Sequence, residues 1–139
     1  MVWLKSFIAG FAATLICHQG LYTLFWLGGA VPNPPFAMAP TWPFGVPAVI
    51  SLAFWGGLWG LPVWWFIRDA IARLYWLRAL ILGALGPSAV ALFLVFPLKG
   101  MGVAGGWDPT LIMGALMLNG AWGLGVAWGM RWAGDARTI

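Results

Sequence analysis

The chain has 139 residues, 63% of them hydrophobic and only 7% charged: seven Lys+Arg, three acids and no glutamate, for a formal net charge of +4. A soluble domain carries about a quarter of its residues as charges, so this chain lacks the polar groups to cover a surface in water, and lipid is the solvent its composition fits. The basic residues are too few and too dispersed for a phosphate-binding stripe, which excludes a nucleic-acid partner.

A helix that crosses hydrocarbon needs about 20 mostly apolar residues. Four stretches have that length, roughly residues 4–27, 46–67, 78–97 and 109–130. They predict an all-α fold, an integral membrane bundle of four transmembrane helices forming a single domain over residues 1–139. The first stretch is longer than a signal-peptide apolar region, contains His18-Gln19 and shows no small-x-small cleavage site. It therefore reads as an uncleaved first span.

Along that span Ser6, Gly10, Ala13, Cys17 and Gly20 recur at spacings of four, three, four and three. Small residues on one stripe let helix backbones approach closely. Cys17 is the only cysteine, so no disulfide forms within one chain, and it reads as a small residue at a helix contact. His18 is the only histidine and Gln19 the only glutamine. Polar side chains at mid-span face protein or a water-filled cavity, because lipid cannot solvate them.

The segment at 28–47 holds six prolines (Pro32, Pro34, Pro35, Pro40, Pro43, Pro47) and no charge. Proline lacks a backbone donor, so this segment is neither a regular helix nor a central strand. With Phe36, Met38, Trp42 and Phe44 it is expected at the interface or folded over the outer mouth of the bundle. The second span carries Ala53, Gly57 and the GxxxG pair Gly56 and Gly60, then Pro62, which leaves the Leu58 carbonyl without its helical partner. A short basic segment with Arg68, Asp69 and Arg73 leads to the third span, where Pro87 similarly frees the Gly83 carbonyl; anionic head groups account for the basic residues. Asp108 followed by Pro109 is a helix-start signal for the fourth span, which carries Asn119 and glycines including Gly125 and Gly129.

Basic residues in short flanking segments set orientation. Lys5, Arg68, Arg73, Arg78, Arg131 and Arg137 fall on one side and Lys99 alone on the other, which places both termini in the cytoplasm. Tryptophan prefers the membrane interface: Trp3, Trp64, Trp65, Trp76 and Trp132 are expected at the inner boundary and Trp26, Trp42 and Trp107 at the outer one. Trp55, Trp59 and Trp122 are expected to pack deeper.

Counted from the outer ends at about 1.5 Å per residue, His18, Ser88 and Asn119 reach a common depth of about 14 Å. Thr14 lies one turn beyond His18. A polar intramembrane layer of His18, Gln19, Thr14, Ser88 and Asn119 is expected, with His18 bonded to Asn119 first or Ser88 next. Its structural reading is an interhelical hydrogen-bond layer that sets helix register. Its functional reading is a haem, pigment or proton site at His18. No second ligand accompanies that histidine, so neither a metal nor another cofactor is predicted. Paired carboxylates, a nucleophile–base pair and a phosphate loop with its lysine are all missing from the sequence, which argues against an enzyme.

The runs Ser6-Phe7-Ile8-Ala9-Gly10 with His18-Gln19, Met38-Ala39-Pro40 to Gly45-Val46-Pro47, Ser51 to Gly60, Pro97-Leu98-Lys99-Gly100 and Asn119 to Gly125 together resemble a family of small four-helix bacterial inner-membrane proteins without an assigned function. The resemblance spans most of the chain and implies a multi-pass protein of the bacterial inner membrane. The Pro/Trp-rich first loop and Leu118-Asn119 to Trp122 carry a looser likeness to the tryptophan-rich TspO family of five-helix porphyrin receptors, which differs in helix count. The leading expectation is a non-catalytic subunit that joins other membrane subunits or forms a homo-oligomer in the lipid bilayer. The alternatives are a small oligomeric channel or transporter lined by His18 and Asn119, and a haem- or pigment-binding module.

Overall fold

The structure is a computed structural model and describes residues 1–135. Four helices are long and apolar enough to cross a membrane: α1 (Val2–Leu27), α2 (Ala48–Ile67), α3 (Ala72–Leu98) and α4 (Pro109–Trp132), with mean hydropathies from 1.3 to 2.3. The third begins at Ala72 rather than Arg78. Hydropathy marks where the apolar stretch starts, whereas the backbone ladder continues into the polar segment before it. The link from α2 is consequently a tight turn over residues 68–71, and Arg73 and Arg78 ride on α3. The second helix begins at Ala48, because Val46–Pro47 forms a two-residue strand, β2, paired with β1 (Pro40–Thr41).

Helix α4 starts where its signal places it. The Asp108 carboxylate accepts from the Thr110 amide at 2.8 Å, and Pro109 occupies a first-turn position where no donor is needed. Just before it, Ala104–Trp107 all take positive φ, from 51° to 74°. A left-handed turn strains residues that carry a Cβ; Gly105 and Gly106 at its centre relieve half of that cost.

The four helices run antiparallel in chain order, as two hairpins joined through α1 and α4. In the first hairpin, α1 crosses α2 at bare backbone: a Cβ on Gly10 would collide with the Gly56 carbonyl oxygen, and one on Gly60 with the Ser6 carbonyl oxygen. In the second, a Cβ on Gly83 would stand 2.7 Å from both the Asn119 carbonyl oxygen and the Gly123 Cα. Between hairpins, Gly129 meets Ala9, and Gly125 meets Ala13 and Cys17, whose sulfur would lie 2.6 Å from an added Cβ. Removing side chains at a crossing lets the two backbones approach and gain van der Waals contact.

The small residues of α1 therefore form two faces: Ser6, Gly10 and Thr14 toward α2, and Ala9, Ala13 and Cys17 toward α4. Gly20 belongs to neither, since nothing lies within 4 Å of an added Cβ there. The cause lies in α1 itself, which contains a π turn at Thr14–His18 closed by the Gln19 amide on the Thr14 carbonyl. The extra residue rotates the remainder of the helix by about 100°, so a spacing counted straight through it leaves the face. Helix α3 has a second π turn at Ala91–Val95, and both α2 and α3 continue through their prolines.

The core sits toward the end that holds the start of α1, the end of α4 and the 68–71 turn. Val63, Trp64, Ile67, Tyr75, Trp122, Val126 and Met130 lie there with at most 3% of their surface exposed. Trp64, expected at an interface, is part of this core, and Trp55, expected to pack deep, points outward. Toward the other end α1 leaves α2 beyond His18, and the proline-rich loop fills in.

Candidate functional site in the polar interior

The polar side chains singled out from the sequence form three separate sets. In the first, the Thr14 hydroxyl donates to the Gly10 carbonyl one turn back at 3.0 Å, and the Trp122 indole N–H donates to the same oxygen at 2.9 Å. Gly10 has no side chain, so its carbonyl lies open to a neighbour. Trp122 thereby ties α4 to the point where α1 crosses α2, and its nitrogen would be 3.2 Å from a Cβ on Gly56.

The second set is His18 and Gln19. The Gln19 amide nitrogen lies 3.3 Å from His18 Nδ1, and its oxygen accepts the Phe36 amide at 2.8 Å. Phe36 has a φ of 55°, a left-handed conformation that is rare away from glycine. The loop is held further by the Ala48 amide on the Ala39 carbonyl and the Val49 amide on the Ala37 carbonyl, both at 2.9 Å. Gln19 is thus a hook that anchors the loop on α1, while residues 37–39 run along the start of α2. Replacing Gln19 with leucine leaves the Phe36 amide without that acceptor. Amide hydrogen exchange over residues 34–40 should accelerate relative to wild type while exchange in α4 stays unchanged; equal loop protection in the variant would refute the hook.

The third set is Asn119 and Ser88, whose side chains bond at 3.0 Å across α4 and α3. The expected bond from His18 to Asn119 is not formed. Counting rise along a helix gives depth but not direction around the axis, and Asn119 points at α3 whereas His18 lies on α1. His18 is only partly buried.

Two hydrogen bonds that tie helices together are missed by sequence reasoning, although Trp122 packs deep as expected. The Tyr75 hydroxyl donates to the Ala127 carbonyl at 2.6 Å and is buried between α3 and α4. In the sequence Tyr75 falls in the loop, because the basic residues around it mask the start of α3. For Trp122 there is a signal: a buried indole needs an acceptor, and a glycine carbonyl on a crossing helix supplies one. Where α4 ends beside the start of α1, Lys5 pairs with Asp135 at 2.8 Å and with the Ala133 carbonyl at 3.3 Å, a partly exposed contact of small energetic weight.

Among the described residues no group of three His, Cys, Asp or Glu side chains converges as a metal site would require. Comparison with protein families, curated proteins and solved structures finds no match.

Proposed function

We propose that this chain is a non-catalytic, multi-pass protein of the bacterial inner membrane, with both termini in the cytoplasm, that acts as a subunit of a larger membrane assembly or of its own oligomer. The observation that carries the reading is the division of labour between the two surfaces of the helices. Inward, Thr14, Trp122, Tyr75, Ser88 and Asn119 hydrogen-bond to carbonyls or to each other. Such bonds position helices and leave those groups engaged. Outward, large apolar side chains such as Ile16, Leu24, Trp55, Phe66, Leu85, Phe93 and Met113 are each more than half exposed, which suits lipid or a neighbouring apolar helix.

Orientation follows the basic residues. Lys5, Arg68, Arg73, Arg78 and Arg131 stand toward the end of the bundle that holds the start of α1 and the end of α4, and Lys99 stands at the other; Arg137 lies outside the described residues. Positive charge is retained on the cytoplasmic side. The resemblance to small four-helix inner-membrane proteins implies the same placement.

Native mass spectrometry of protein solubilised gently from its own membrane tests the proposal. We expect a complex heavier than the 15.0 kDa chain, containing further copies or foreign subunits. A bare monomer at every detergent condition would overturn it, and a bound chromophore in the same spectrum would favour the haem or pigment alternative.

A further inference from the structure

Beside the contact between α2 and α3, which is sparser than those within either hairpin, shallow apolar hollows open on the surface of the bundle. On α2, Trp55, Trp59, Pro62 and Phe66 succeed one another at spacings of four, three and four, which is one helical stripe. Facing it, Arg78, Ile81 and Leu82 of α3 complete a groove with Phe66 of about 380 Å³. A second, smaller hollow of about 220 Å³ lies further along the same stripe of α2, lined by Trp55, Leu58, Trp59 and Pro62. Trp59 forms the floor between the helices, its ring 3.1 Å from where a Cβ on Gly86 would stand.

Among the described residues that line the two hollows, Arg78 alone carries a charge. Arg78 lies six residues into α3, or about 9 Å from the helix start, on an exposed face. Its guanidinium reaches back toward the helix ends, where Nη1 donates to the Phe66 carbonyl at 3.4 Å. That oxygen is among the last carbonyls of α2, which lack helical partners. A long cationic side chain rooted in an apolar surface turns its head toward the polar boundary. Nearby Asp69 is ion-paired with Arg68 at 3.3 Å, and Arg68 itself lies over the Trp65 ring at 3.7 Å. Among the described residues Arg78 bonds to one carbonyl, which leaves further N–H donors of its guanidinium beside a groove otherwise lined by Phe66, Ile81 and Leu82.

We propose that the α2–α3 crevice binds one anionic phospholipid of the inner leaflet, its phosphate on Arg78 and an acyl chain along Leu82, Trp59 and Pro62. This rests on the membrane reading above. Charge and length both select the occupant. Among the described lining residues the cation is Arg78, and the stripe of α2 beyond it is apolar. From Phe66 to Trp55 the stripe runs eleven residues, about 16 Å, which matches half of a hydrocarbon core about 30 Å thick. Basic pockets between helices on the cytoplasmic side recognise acidic head groups in this way.

The test uses the full chain in detergent, titrated with an equimolar mixture of phosphatidylglycerol and phosphatidylcholine of the same acyl chains and read by native mass spectrometry. The wild type should retain phosphatidylglycerol first, with a preference of about fivefold, the worth of one arginine at a lipid surface. Arg78→Gln should abolish the preference, and Arg73→Gln should keep it. Leu82→Trp, which fills the groove and alters no charge, should lower retention of both lipids, so the proposal stays testable if Arg78→Gln does not fold. Equal retention of the two lipids by the wild type would overturn the site, as would equal losses in Arg73→Gln and Arg78→Gln. Protein that holds neither lipid and stays dispersed without detergent would overturn the membrane reading itself.

Discussion

Adding a single methyl group at Gly10 is expected to destabilise the protein by about 2–3 kcal/mol, whereas the same methyl at Gly20 leaves it unchanged or slightly more stable. The contrast arises from the surroundings each Cβ would enter. At Gly10 it would collide with the Gly56 carbonyl oxygen and stand 3.1 Å from the Gly60 Cα, while at Gly20 nothing lies within 4 Å. A side chain can rotate away from an intruding atom, but two backbones in contact can only separate. Separation of α1 from α2 would also part Trp122 from its acceptor, because Gly10 supplies both contacts. Alanine gains up to about 1 kcal/mol of helix propensity over glycine at either position, so a loss at Gly10 is measured against a favourable background. Unfolding of both variants in the same detergent provides the measurement. Equal stability of Gly10→Ala and wild type would mean that the crossing is looser than the backbone positions require.

The second large effect is expected at Trp122. Its side chain is 2% exposed and, with its N–H on Gly10, reaches from α4 to the crossing of α1 and α2. Trp122→Ala removes one of the largest buried side chains and should cost about 3–5 kcal/mol through lost contacts and the cavity left behind. Trp122→Phe keeps an aromatic ring but loses the donor. Hydrogen bonds between membrane helices contribute about 0.6 kcal/mol on average, so phenylalanine should recover most of the loss, less the volume difference. If the alanine variant unfolded together with wild type, Trp122 would not be the wedge that joins the hairpins. If phenylalanine proved as costly as alanine, the hydrogen bond would outweigh the packing.

Neither effect depends on His18, the most conspicuous polar residue of the sequence. Its rarity draws the eye, but the neighbouring Gln19 makes the longer-range contact, to Phe36 in the proline-rich loop. A glutamine beside a histidine at mid-span looks like part of the same polar site. In the structure it links a helix to a loop, a relation for which residue spacing contains no signal.

Sequence by itself determined the number and apolar character of the four helices, because these depend on local composition; it left residues 72–77 in the loop, and the structure adds them to α3. It also determined the start of α4, because Asp108 and Pro109 act on adjacent backbone groups, and it marked the 28–47 segment as non-helical through its prolines. Only the tertiary structure decided which small residues touch. The stripe from Ser6 to Gly20 supposes an unbroken helical period, and the π turn at Thr14–His18 breaks it before Gly20. Depth counting put His18, Ser88 and Asn119 at one level, but partners are chosen by direction around each axis, which depends on how the helices cross. That choice turned Asn119 to Ser88 and assigned the Gly10 carbonyl to Trp122, a residue 112 positions away. Such pairings emerge only when all four helices are packed together, since each depends on glycines whose missing side chains let another helix come close.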